Sequence, residues 1–125
     1  MTGTEFLFRM ARVPSNASRG AYFKRRTKQW LRDQGYQVGA LEVVHWIHRG
    51  GRQIPVKRDQ FGADIIAMNR AEILFVQVKG GKAAIGGTFP DARRKFAAFV
   101  FPPGARRIVI GWPPRARRPR IVECR

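Results

Sequence analysis

The chain has 125 residues, close to the usual size of one domain, and its single cysteine, Cys124, allows neither an internal disulfide nor a thiolate metal cage. Its 25 Lys and Arg against 8 Asp and Glu leave a net charge of +17, a field that points to a polyanionic partner, with nucleic acid foremost. No window approaches the roughly 18 apolar residues of a membrane span, and Arg9 and Arg12 interrupt the N-terminal apolar run, so the expected setting is cytoplasmic, reducing and away from membranes.

Residues 1–17 show no clear period and close on Pro14-Ser15-Asn16, which reads as a flexible arm ahead of one domain over 18–125. A helix is expected next. Ser18 is placed to cap it, Phe23, Thr27, Trp30 and Leu31 follow helical spacing, and Gly35 sits where a left-handed residue ends helices. From 36 to 48, β-branched and aromatic residues predict a strand; Gly50-Gly51 supplies a hairpin turn, and 54–57 returns.

Two nearly continuous apolar runs, 65–68 and 73–78, flank the polar break Asn69-Arg70-Ala71-Glu72. They predict a second hairpin, central in the sheet and covered on both faces. After a glycine-rich basic loop around Lys82, Pro90-Asp91 opens a second helix with Phe96, Ala97 and Phe99 inward and Arg93, Arg94 and Lys95 outward. Strands follow at 107–112 and, on the edge, 121–123. The whole reads as an α/β (α+β) domain, a central mixed sheet of about five strands between two helices. Trp30, Trp46 and Trp112 read as packing residues. His45 and His48, three apart on a strand, face opposite sides and share no metal.

A turn between Arg70 and Ala71 sets Asp64 opposite Gln77, while Lys79, two residues on, projects from the same face. Burying an acid, an amide and an amine without partners costs several kcal/mol, so the convergence needs a reason. One reason is a divalent cation held by the Asp64 carboxylate, the Gln77 side-chain oxygen and the Val78 carbonyl, with Lys79 steadying negative charge on a phosphodiester. The purely structural alternative is an Asp64–Lys79 ion pair at the sheet's rim.

The segment Gly62-Ala63-Asp64-Ile65-Ile66-Ala67, a short break, then Ile73-Leu74-Phe75-Val76-Gln77-Val78-Lys79 resembles the motif of the PD-(D/E)xK nuclease superfamily, particularly archaeal-type Holliday junction resolvases and their phage relatives. The helix from Arg19-Gly20-Ala21-Tyr22-Phe23-Lys24-Arg25 to Leu31 and Gly35-Tyr36 is similar to the opening helix of those resolvases. The resemblance covers residues 18 to 80. It implies a restriction-endonuclease-like fold, dependence on Mg²⁺ or Mn²⁺, endonucleolytic cleavage of branched or duplex DNA, and a homodimer, because resolving a junction takes two cuts.

Two residues depart from the family pattern: Lys24 and Gln77 stand where glutamates are usual. Each change removes a negative charge, and an amide oxygen is a weaker ligand than a carboxylate for a hard cation. Asp59, in the segment feeding the motif strand, and Glu42, in the first predicted strand, are the candidates to replace the missing acids. The side chains expected on phosphate are Arg19, Lys24, Arg25, Lys28, Lys57, Arg58, Lys82, Arg93, Arg94 and Lys95, with a second grip at 115–120. The competing expectation is a non-catalytic nucleic-acid-binding module that keeps the fold; a protein-binding factor of phage or mobile-element origin is a third.

Overall fold

A computed structural model describes residues 16–125; the expected arm, through residue 15, lies outside the described residues. The first helix, α1 (Asn16–Asp33), starts two residues before the expected cap, so Ser18 belongs to its first turn. Gly35 closes it at φ 93, a conformation with no steric cost for glycine. Strands β1 (Gln37–Ala40), β2 (Glu42–Arg49), β3 (Arg52–Asp59), β4 (Ile65–Met68) and β5 (Ile73–Gly80) follow. A short 3-10 turn (Gly81–Ala84) and helix α2 (Pro90–Ala97) lead to β6 (Ala105–Trp112) and β7 (Arg120–Cys124).

Five strands form one mixed sheet in the order β1-β4-β5-β6-β7, antiparallel except for the parallel pair β5 and β6. A parallel pair needs a crossover, and the segment through α2 provides it. With a helix on each side, this is the expected restriction-endonuclease-like α+β arrangement. The β4–β5 hairpin has the expected register, Ile65 facing Val76 and Met68 facing Ile73, and β5 is the middle strand.

Alternation along β5 divides the interior in two. Leu74, Val76 and Val78 join Leu31, Ile65, Ile108, Ile110 and Trp112 beneath α1, whereas Phe75 packs against the other cluster with Ala92, Phe96 and Val109 beside α2. Trp112 donates its indole N–H to the buried Thr27 hydroxyl at 2.8 Å, which in turn donates to the Phe23 carbonyl at 2.7 Å. Helix and sheet approach so closely that a Cβ on Gly80 would lie 2.0 Å from the Phe23 ring. That contact holds α1, and with it Lys24, beside the last residues of β5.

Three expectations are corrected. The strand predicted over 36–48 is two strands: the Leu41 N–H bonds to the Asp64 carbonyl at 2.9 Å, and beyond it β2 leaves the sheet to pair only with β3. In α2 the inward residues are Ala92 and Phe96, while Ala97 and Phe99 are exposed, because the helix ends at Ala97 and a four-residue spacing already fills the face it presents. Trp112 is buried and Trp30 packs on the core, but Trp46 is 63% exposed, since the separate β2–β3 ribbon offers it no second layer. Gly50 and Gly51, both at positive φ, make the ribbon's turn as expected.

Candidate active site

The site forms where the root of the ribbon meets the end of the β4–β5 hairpin. Asp64 lies one residue before β4, and its N–H bonds to the Val76 carbonyl at 2.9 Å. That bond is one residue out of the register that pairs Ile65 with Val76, so Asp64 meets Val76 rather than standing opposite Gln77 as expected. Glu42 and Asp59 are cross-strand partners in the first pair of the ribbon. The Gln60 N–H to the Leu41 carbonyl, at 3.1 Å, ties that root to the sheet. One carboxylate oxygen from each of Glu42, Asp59 and Asp64 lies within 4.8 Å of the others.

Gln77, buried, donates through its amide nitrogen to Asp59 Oδ2 at 2.9 Å and to the Gly62 carbonyl at 2.7 Å. Both partners are acceptors only, so the amide must present its nitrogen to them. Gln77 thus meets the acids as a donor that orients Asp59, whereas the expectation had its oxygen facing a cation. The Val78 N–H donates to Asp64 Oδ2 at 2.8 Å. Lys79, half-buried, follows Gln77 on the same face of β5.

Asp64 is 5% exposed and its carboxyl is pushed up to about 6: burial acts first, then the hydrogen bond with Asp59, against the opposing Val78 N–H and the charge of Lys24. Burial also acts on Asp59, but hydrogen bonds from Asp64 and Gln77 and the charges of Lys95 and Lys24 outweigh it and hold that carboxyl below its ordinary value. Two neighbouring acids therefore titrate in opposite senses. Burial and the charge of Lys95 press the Lys79 amine down.

Lys24 reaches in from α1, pairing with Glu42 and lying 3.7 Å from Asp64 Oδ1. From α2, Lys95 lies 3.6 Å from Asp59 Oδ2. Three clustered carboxylates could hold a divalent metal, and an all-oxygen donor set suits a hard ion such as Mg²⁺ or Mn²⁺. The raised Asp64 carboxyl, set first by burial and then by its hydrogen bond with Asp59, is compatible with that reading.

The expected basic residues divide between locations. Lys57 and Arg58 line an open cleft of about 640 Å³ together with Glu42, Asp59, Lys24 and Lys95. Arg19 and Lys82 line a separate cleft of about 940 Å³ between α1 and the segments after β5 and β6. Arg25 is exposed and Lys28 partly so on α1. Arg93 lies toward Cys124, and Arg94 pairs with Asp91 on the surface of α2. Lys24 itself is engaged by the acids. Lys95 was expected on phosphate along with Arg93 and Arg94, and of the three it is the one that reaches the acids, a choice that three consecutive basic residues do not signal. The Gly62 carbonyl had no expected role, because a carbonyl has no side-chain signature.

The sequence matches no family model and no curated protein. Among solved structures, the crystal structure of SSO0001 is similar at a TM-score of 0.53 and 17% identity, over 96% of this chain and 56% of that one. The chain thus spans little more than half the length of SSO0001, and the likeness is one of fold. Hjc of Archaeoglobus fulgidus, a Holliday junction resolvase from an archaeal hyperthermophile, is similar at a TM-score of 0.49 and 19% identity, over 83% of this chain and 88% of that one. Among the described residues no helix is long and apolar enough to cross a membrane.

Proposed function

We propose that the chain is a metal-dependent DNA endonuclease of the PD-(D/E)xK type, resolvase-like in its choice of branched or duplex DNA. The observation that carries this reading is the convergence of Glu42, Asp59 and Asp64 beside Lys79 in a chain of charge +17. Three carboxylates grouped in a basic cleft, one of them raised by burial, suit the electrostatics of phosphodiester chemistry.

In this mechanism Glu42, Asp59 and Asp64 would hold Mg²⁺ or Mn²⁺. The ion, when bound, supplies an activated water and offsets charge on the phosphate. Gln77 keeps Asp59 turned toward the other acids and ionised through its donated hydrogen bond. The Val78 N–H fixes one oxygen of Asp64, leaving the other toward Lys24. Lys79 supplies positive charge for the developing oxyanion, while Lys57 and Arg58 hold the flanking backbone without reading sequence. Two cuts across a junction call for two such sites, hence a homodimer.

The test is incubation of the protein with labelled four-way junctions and linear duplex in Mg²⁺ or Mn²⁺. Metal-dependent product from the wild type and none from Asp64→Ala is expected; no product from the wild type, or equal product from the variant, defeats the reading. A second reading, a binding module that no longer cleaves, has one observation in its favour: Lys24 already occupies the acids. Calorimetry with Mn²⁺ separates the two, since an ion whose binding is lost with Asp64→Ala or Asp59→Ala belongs to the enzyme.

A further inference from the structure

The β2–β3 ribbon is all surface on one side, and its register assigns side chains to faces. Cross-strand partners share a face and alternate pairs share it too. The face that begins with the Glu42–Asp59 pair therefore continues through Val44–Lys57 and Trp46–Pro55 to His48–Gln53 at the tip. Trp46 stands four residues beyond Glu42, roughly 13 Å along the strand, on the same face as the acid cluster. At 63% exposed it is the most solvent-open of the chain's described tryptophans, in a domain that buries Trp112 almost completely.

We propose that this face is the seat of an unpaired nucleotide, with Trp46 as the platform on which its base stacks and Lys57 as the contact to the phosphate that leads back to the acids. Charge decides the occupant. Between residues 43 and 58 the ribbon has no acid, and Lys57 shares the face of Trp46 while Arg49, Arg52 and Arg58 project from the other. A nucleotide thus finds an aromatic platform and a cation for its backbone together on one face. Pro55, opposite Trp46, withholds an N–H from the strand and so disfavours an added strand as the occupant. A base inside a continuous duplex has both faces covered by its neighbours, which leaves only unstacked bases for the indole. Substrate choice follows: a branch point, bulge or frayed end a few nucleotides from the cut phosphate is preferred over continuous duplex.

This specificity rests on the nuclease reading of the acid cluster, and the test keeps the two apart by measuring binding in a metal chelator, where no cleavage contributes. DNA duplexes carrying one unpaired 2-aminopurine, and matched duplexes without a gap or bulge, are titrated with wild type, Trp46→Ala, Trp46→Leu and Trp46→Phe. Wild type and Trp46→Phe should quench the unpaired base. Trp46→Ala and Trp46→Leu should lose the quenching and bind the bulged DNA roughly five- to 150-fold more weakly, with fully paired duplex bound as before. Trp46→Leu keeps an apolar side chain without a π-face, so normal quenching by it overturns the proposal. Equal loss on paired and unpaired DNA, or a change in oligomeric state with Trp46→Ala in sedimentation, also overturns it. Should junction cleavage fail while quenching survives, the nuclease reading falls and the stacking site stands.

Discussion

Glu72, just before β5, and Asp64, beside its far end, are both carboxylates next to basic side chains, and they shift in opposite directions. Glu72 accepts from the Tyr36 hydroxyl and from Arg106 at 2.5 Å, while Arg106 also holds both oxygens of Glu123 at 3.1 Å. Hydrogen bonds, from Tyr36 and then Arg106, keep Glu72 below its ordinary value, and Arg106 does the same for Glu123. The guanidinium moves up in return, with the Glu123 bonds foremost. One cation with a planar fork between two acids is a closed arrangement. At the other end, burial and then the hydrogen bond with Asp59 drive Asp64 toward its neutral form, although Lys24 and Lys95 stand against the cluster. The difference separates a solvent-near ion cluster, in which every carboxylate is paired with one guanidinium, from a group of acids of which one is buried against its own ionisation. There an external cation has something to add.

Replacing the buried acid should produce the largest effect. Asp64→Asn is expected to lower metal-dependent cleavage at least about a hundredfold and yet to raise stability. A folded-state carboxyl near 6, against an ordinary value of 3.8, binds its proton more tightly folded than unfolded. Wild-type stability therefore falls as pH rises from about 4 to about 6, and the deficit is complete above that. Urea unfolding at pH 7.5 should show the variant more stable by roughly 1–3 kcal/mol, with the difference gone near pH 4. A variant less stable at pH 7.5 would mean that Asp64 is as well satisfied as Glu72.

Relieving the competition from α1 gives the next effect. In Lys24→Gln the ammonium between Glu42 and Asp64 is gone, so Mn²⁺ measured by calorimetry should bind at least about fivefold more tightly, the water-screened limit for one unit charge near 4 Å. Unchanged affinity would show that Lys24 and the metal do not share these oxygens.

How much of this was legible depends on the range of the signal. The β4–β5 hairpin was readable because two apolar runs around a four-residue break leave one register, while the slip by one residue at Asp64 was not. The continuous mixed sheet and its two helices followed from the order of periods. The break at Leu41 was not readable, since residues on both sides have the same β preference and only the tertiary bond to Asp64 diverts the chain. With that break hidden, so was the exposure of Trp46, which composition alone assigns to packing. Glu42 and Asp59 could be nominated from a short census of acids, but their pairing at the ribbon's root is a long-range fact. The amide orientation of Gln77 depends on the Gly62 carbonyl, which no residue type announces.

The closed cluster supplies the smallest and most discriminating prediction. Arg106→Gln leaves Glu72 and Glu123 without their shared cation, yet all three groups are near solvent, so the loss of stability should be smaller than the gain from Asp64→Asn. Its pH signature should be reversed as well. Carboxyls held below their ordinary 4.5 contribute stability that is present above that value and lost as pH falls through the lowered one. Wild type should thus lose more stability than Arg106→Gln on going from pH 6 to pH 3, while the two cleave DNA at the same rate per folded molecule. If instead Arg106→Gln slows cleavage as Asp64→Asn does, the two ends of β5 are one functional unit and the contrast between them fails.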